Sequence, residues 1–132
     1  MSGLEKKFAT KSKIVNYIIN RESTSKVEIS KELNLSMPTV LSNVKDLLEK
    51  GIIIETGEYE STGGRKAKSI GINPSYRYAM GIVITANHLG MVLVNLKYEI
   101  VKSERIRLKF VSDMSYCSQV ADFVGEISGS YE

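Results

Sequence analysis

Ser36-Met37-Pro38-Thr39-Val40-Leu41-Ser42-Asn43-Val44-Lys45-Asp46-Leu47-Leu48-Glu49-Lys50-Gly51 is the stretch on which the fold turns. Ser36 is an N-cap, and Pro38 falls in the first turn, where a missing N–H costs nothing. Val40, Val44 and Leu47 recur at helical spacing on one face, with Leu41 and Leu48 beside it. Thr39, Ser42, Asn43 and Asp46 are expected on the opposite, outward face. Gly51 closes the helix as a left-handed cap.

Upstream, Ser25-Lys26-Val27-Glu28 has the form of a capping box. It opens a short helix expected to bury Val27, Ile29 and Leu33. Asn34 ends that helix by tolerating the left-handed conformation of a tight exit, and Leu35 packs inward from the turn. Two short helices joined by so tight a turn, the second with a polar outward face, form a helix-turn-helix. An earlier helix is predicted from about Phe8 to Arg21, on the periodicity of Ile14, Val15, Ile18 and Ile19. Lys6, Lys7, Lys11 and Lys13 crowd its start, where the helix dipole favours anions. A nearby phosphate backbone and a frayed, solvated terminus each account for them.

Downstream, Ile52-Ile53-Ile54-Glu55 is too short and too β-branched for another helix and is predicted as a strand. Ala67 to Ile72 is its return, and Gly57 to Lys66 the connecting loop. The tip of that hairpin is Ser61-Thr62-Gly63-Gly64-Arg65-Lys66. Paired glycines let a backbone turn sharply and approach another surface. Arginine is the side chain best suited to phosphate and to a narrow, negative DNA groove. Three helices followed by such a hairpin make a winged helix-turn-helix.

Asn73-Pro74-Ser75 breaks the pattern, and two domains are expected, 1–73 and 74–132. Beyond the break, Tyr78 to Thr85, Gly90 to Leu96 and Ile100 to Phe110 are predicted as three strands. Asn87-His88 and Lys97-Tyr98-Glu99 supply the turns, so the strands should be antiparallel neighbours. A helix follows from Met114, with Cys117, Val120, Ala121, Val124 and Ile127 on its apolar stripe. The fold class is α+β.

Composition narrows the function classes. No apolar run approaches the roughly 20 residues of a membrane span, and no signal peptide is visible, so a cytoplasmic location without membrane contact is expected. One cysteine, Cys117, and one histidine, His88, leave neither a disulfide framework nor enough soft ligands for structural zinc. His88 is read as a turn residue and Cys117 as a core hydrophobe. The net charge of +3 lies wholly in residues 1–75, with 12 Lys/Arg against 9 Asp/Glu; residues 76–132 hold 6 of each. That distribution suits a polyanion-binding module joined to a neutral one.

The segment Ile29-Ser30-Lys31-Glu32-Leu33-Asn34-Leu35-Ser36-Met37-Pro38-Thr39-Val40 resembles the helix-turn-helix of ROK-family (repressor, open reading frame, kinase) transcriptional regulators. The likeness continues through Leu47-Leu48-Glu49-Lys50-Gly51-Ile52-Ile53, Glu55, Ser61-Thr62-Gly63-Gly64-Arg65, Asn73-Pro74 and Gly81-Ile82-Val83-Ile84. It covers nearly the whole chain. It implies a dimeric, sugar-responsive repressor, whose second domain is the start of an actin-like, sugar-kinase-like lobe of three strands and a helix. It also implies that the catalytic aspartate, sugar pocket and cysteine-rich zinc motif of the family lie beyond residue 132. The chain is therefore expected to be an N-terminal fragment or a reduced relative, with one apolar sheet face left open.

Two departures from the family pattern bear on function. The kinases of the family carry an acid and a Gly-Gly-Thr turn after the first strand; here stand Val83 and Thr85-Ala86-Asn87. Without those glycines the backbone cannot approach a phosphate so closely, so no catalysis and no cofactor are expected. In the wing, Lys66 replaces the family's usual proline after the arginine.

Candidate DNA-contacting residues are Ser36, Thr39, Ser42, Asn43 and Lys45 on the helix, and Gly63, Gly64, Arg65 and Lys66 on the wing. Asn can bond adenine bidentately, Thr can meet a thymine methyl, and a serine hydroxyl can reach phosphate. By resemblance Arg65 enters an A·T-rich minor groove. The expected partners are an A·T-rich inverted repeat of duplex DNA, a second copy of the chain and, in a full-length form, a sugar effector. The alternatives are a sugar kinase with a DNA-binding arm and a winged helix that binds protein.

Overall fold

Ser2 starts the first helix, several residues before the apolar periodicity begins. Its hydroxyl accepts the Glu5 N–H while the Glu5 carboxylate accepts the Ser2 N–H, a complete capping box. In the computed structural model, which describes residues 2–59 and 67–131, α1 therefore spans Gly3–Ile19 rather than starting at Phe8. The lysines expected at its frayed start are thus inside it. The chain divides into two compact units, Met1–Tyr76 and Arg77–Glu132.

In the first unit α1 is followed by α2 (Lys26–Leu33), α3 (Met37–Glu49), β1 (Ile53–Tyr59) and β2 (Ala67–Ile72). Both of the later helices end alike. Leu35 N–H bonds Ser30 C=O and Asn34 N–H bonds Lys31 C=O, with Asn34 at φ 51°. Ile52 N–H bonds Leu47 C=O and Gly51 N–H bonds Leu48 C=O, with Gly51 at φ 68°. These paired bonds are Schellman motifs, and each needs its left-handed residue where Asn34 and Gly51 stand.

β1 and β2 pair antiparallel, Ile53 opposite Ile72 and Glu55 opposite Ile70, with a bulge between Glu55 and Gly57. β1 runs on to Tyr59, past the expected loop start at Gly57. Thr24 adds a third rung, exchanging both backbone bonds with Ile70 at 2.8 Å. A Cβ on Gly71 would sit 2.8 Å from Thr56 Cγ2 and 3.1 Å from Glu22 O, so only glycine admits this close packing. Ile14, Ile18, Ile29, Val40, Val44 and Leu47 close the core with Ile53, Ile70 and Ile72. Val27, expected in that core, is exposed. Two residues of helix are about 200° of rotation, which puts it opposite the buried Ile29.

In the second unit β3 (Tyr78–Ile84), β4 (His88–Asn95) and β5 (Ile100–Arg107) form an antiparallel sheet in that order. Then comes α4 (Met114–Ser128), capped by the Asp113 carboxylate on Tyr116 N–H. Leu89 and Met91 of β4 pack with Phe123 and Ile127 of α4. The buried residues of α4 are Tyr116, Phe123 and Ile127; of the expected stripe Ile127 is buried and Val120 partly so, while the centre of the stripe is turned toward Tyr116 and Phe123. Cys117 and Ala121 are consequently exposed; Cys117 is no core residue. The edge strand β3 leaves Ile82, Val83 and Ile84 exposed. The observed architecture is the expected α+β one, a winged helix-turn-helix followed by a three-stranded sheet and a helix.

Candidate nucleic-acid interface

The sector of α3 available to a ligand is set by what its core stripe consumes. Val40, Val44 and Leu47 are fully buried and fix the inward direction. At 100° per residue, Pro38, Ser42, Lys45 and Glu49 point the opposite way, with Leu41 alongside. All five are exposed. Ser36 accepts the Thr39 N–H at 3.4 Å, and the two hydroxyls lie 2.8 Å apart. Ser36 is exposed and Thr39 half-buried, so this hydroxyl pair sits at the N-terminal edge of the outward sector.

Asn43 corrects the expected outward face. It is only 8% exposed, because it lies three residues after Val40 and joins the buried stripe. Its amide Nδ2 donates to Thr39 C=O at 2.8 Å, while Oδ1 is buried with no partner among the described residues. This side chain cannot meet a base edge from where it stands. Asp46 is likewise occupied. Its carboxylate accepts from Lys11 of α1 and from Lys50 at 3.0 Å, and these bonds, Lys11 first, hold its pKa below the ordinary 3.8. The same carboxylate raises the pKa of Lys50. Lys45 lies 3.8 Å from Glu49.

Sequence reasoning missed Leu41, a large hydrophobe 46% exposed beside Ser42 and Lys45. An apolar side chain on a recognition helix can meet a thymine methyl. Its offset of 100° from Val40 was the available signal, since it places Leu41 off the core stripe. Gly63, Gly64, Arg65 and Lys66 lie outside the described residues. The strands that carry them are described, and β1 begins two residues after Gly51, which follows the α3 cap residue Lys50.

Residues 8–54 match a family model for winged helix-turn-helix DNA-binding domains. The chain is 32% identical over 98 residues to the xylose repressor of Lactiplantibacillus pentosus, covering 73% of this chain and 25% of that protein. It is 23% identical over 108 residues to the DNA-binding transcriptional dual regulator NagC of Escherichia coli K12, covering 82% and 27%. The crystal structure of a ROK family transcriptional regulator, a homolog of the E. coli MLC protein, superposes with a TM-score of 0.68. That superposition covers 96% of this chain and 32% of the other, at 17% identity, and shows the shared fold. The chain thus carries a winged helix-turn-helix DNA-binding domain and shares its fold with a ROK family regulator. It spans about a quarter of the length of the curated relatives it matches. The superposition covers nearly the whole chain, so it takes in the three strands and helix of the second unit. The turn after β3 is tied by a side chain and by the backbone: Thr85 Oγ1 accepts His88 N–H at 3.1 Å, and Thr85 N–H donates to His88 C=O at 2.9 Å. No helix among the described residues is long and apolar enough to cross a membrane.

Proposed function

We propose that the chain is a sequence-specific, DNA-binding transcriptional regulator that acts as a dimer on an A·T-rich inverted repeat. The observation that carries this reading is α3. Its buried stripe leaves an outward sector of short polar and apolar side chains, presented at a capped N-terminus and followed directly by a hairpin. Ser42 and Leu41 meet base edges in the major groove, Ser36 and Thr39 the flanking phosphate, and Lys45 the backbone beyond. Asn43 supports the helix from within. Gly63 and Gly64 let the wing approach, and Arg65, with Lys66, enters the adjacent minor groove.

The relatives' names, xylose repressor and NagC, support a sugar effector and repression of carbohydrate genes in the cytoplasm. We assign no catalysis to the chain, since Val83 and Thr85-Ala86-Asn87 stand where the kinases of the family grip phosphate. Selection of bound duplexes from a random pool by the intact chain tests the reading. A symmetric motif with A·T-rich flanks is expected. Recovery of no enriched sequence, or binding indifferent to salt, would overturn it.

A further inference from the structure

We propose that the free edge of β3 is a self-pairing surface, on which β3 of a second copy of this chain adds antiparallel. β3 pairs with β4 on one side only. Thr85 N–H donates to His88 C=O, so these two residues form a hydrogen-bonded pair of the ladder. Bonding alternates along an antiparallel pair, so Ala79, Gly81 and Val83 also bond to β4. The N–H and C=O groups of Tyr78, Met80, Ile82 and Ile84 then point off the edge. Among the described residues no other backbone bond takes them up. The two edges of this sheet differ. β5 carries Lys102, Glu104, Arg105 and Arg107 and meets β4 with a register shift at Leu93/Val94; charges and bulges are what keep an edge from pairing. β3 has seven residues without a charge or a proline, and its register with β4 is unbroken.

The chemistry of the edge selects the occupant. A row of unpaired backbone groups takes a β-strand. Pairing β3 with β5 of a copy would set apolar side chains beside charged ones and repeat head to tail without closing. Pairing β3 with β3 closes about a two-fold axis and leaves the guarded β5 strands outside. Centred on Gly81, this register pairs Met80 with Ile82 of the copy and Tyr78 with Ile84, so every outward group finds a partner. Any other register leaves Tyr78 or Ile84 without one. Ile82, Ile84 and Val83, 44%, 49% and 60% exposed, then lie beside Met80, Tyr78 and Ala79 of the copy, and no charged side chain enters the seam. The proposal rests on the dimeric reading above, to which it gives a surface.

In this register Gly81 faces itself across the two-fold axis as a non-hydrogen-bonded pair, with Cα atoms about 4.5 Å apart and within disulfide reach. Val83 lies four residues from its counterpart, roughly 13 Å along the strands, and out of reach. The test uses the full chain with Cys117→Ser, which removes its one cysteine. Under mild oxidation Gly81→Cys in this background should cross-link to a dimer, and Val83→Cys should not. A Cβ at Gly81 meets only the tip of the Val92 side chain, at 3.2 Å, so the strand accepts it. In sedimentation velocity the Cys117→Ser chain should dimerise with concentration. Ile82→Lys should raise the dissociation constant about tenfold or more and, being exposed, leave the circular dichroism melt of the monomer in place. A dimer that ignores Ile82→Lys and leaves Gly81→Cys uncross-linked would overturn the edge proposal while the dimeric reading stands. Equal cross-linking of Gly81→Cys and Val83→Cys would overturn it too, since the register would then be absent. A chain monomeric at every concentration would overturn both.

Discussion

Replacing Asn43 by leucine should stabilise the winged-helix unit. The side chain is 8% exposed, and its Oδ1 has no partner among the described residues. A stranded buried acceptor costs about 1–3 kcal/mol. The substitution forfeits the Nδ2 bond to Thr39 C=O, worth about 0.5–1.5 kcal/mol. That carbonyl is not orphaned, because the helical N–H of residue 43 still reaches it. A buried leucine adds about 1.5–3 kcal/mol of apolar transfer, against a packing mismatch of about 1–3 kcal/mol. The last two terms offset each other, so the net gain is roughly 1 kcal/mol. In a unit of this size each kcal/mol moves the midpoint by about 4–8 °C. Urea and thermal unfolding of the full chain, followed by far-ultraviolet circular dichroism, would measure it. Destabilisation by more than about 1 kcal/mol would refute the reasoning, since Oδ1 would then have to be bonded, for instance by an ordered water. Duplex affinity should be unchanged; its loss would mean that Asn43 turns outward to read a base.

Other expectations follow from single sites. Gly51→Ala forces a Cβ into a left-handed backbone at φ 68° and should cost about 1–2 kcal/mol, read by chemical denaturation. Asp46 has a folded pKa lowered by Lys11 and Lys50, so its contribution is present above 3.8 and lost as pH falls through the folded value. The difference in midpoint between the native chain and Asp46→Asn should therefore be larger at pH 7 than at pH 3. Arg65→Ala should weaken duplex binding and reduce the slope of log affinity against log salt by about 1; an unchanged slope would remove Arg65 from the backbone contacts. Residues 1–76 expressed alone should keep the cooperative melt of the first unit, because its core closes within itself.

Much of this molecule was legible wherever local chemistry and tertiary need coincide. Asn34 and Gly51 announce left-handed helix exits, and both helices end there in Schellman motifs. Ala67 to Ile72 pairs with β1 as its return strand, as its β-branched alternation suggests. The start of α1 was misread because a capping box carries no hydrophobic period; Ser2 and Glu5 hold it with side-chain bonds alone. The α4 stripe was centred too far round because Cys117 and Tyr116 are both apolar enough to sit inside, and only packing decides between neighbours about 100° apart: Tyr116 is buried with its ring edge-on to Phe110, and Cys117 is exposed. Asn43 shows the same limit from the other direction. A polar residue was assigned outward on its chemistry, whereas its spacing from Val40 had already placed it inward.

The ion pairs say where affinity for a polyanion must come from. Between Met37 and Lys50, α3 and its cap carry Lys45 and Lys50 against Asp46 and Glu49, a net charge of zero. Each of these lysines lies beside an acid of the same segment. On the hairpin, Lys68 is bridged to Glu55 at 2.8 Å. A helix so balanced attracts phosphate weakly, and what it offers DNA is shape and short-range contact from Leu41 and Ser42. The excess charge of residues 1–75 must therefore act elsewhere, on the lysines of α1, on Arg21, on Lys26 and Lys31 of α2, and on the Arg65-Lys66 pair of the wing. In the proposed binding mode Arg65 and Lys66 supply the electrostatic contact with DNA. Salt dependence then reports on the hairpin, while base preference reports on α3, and substitutions in the two should separate cleanly into changes of slope and changes of sequence.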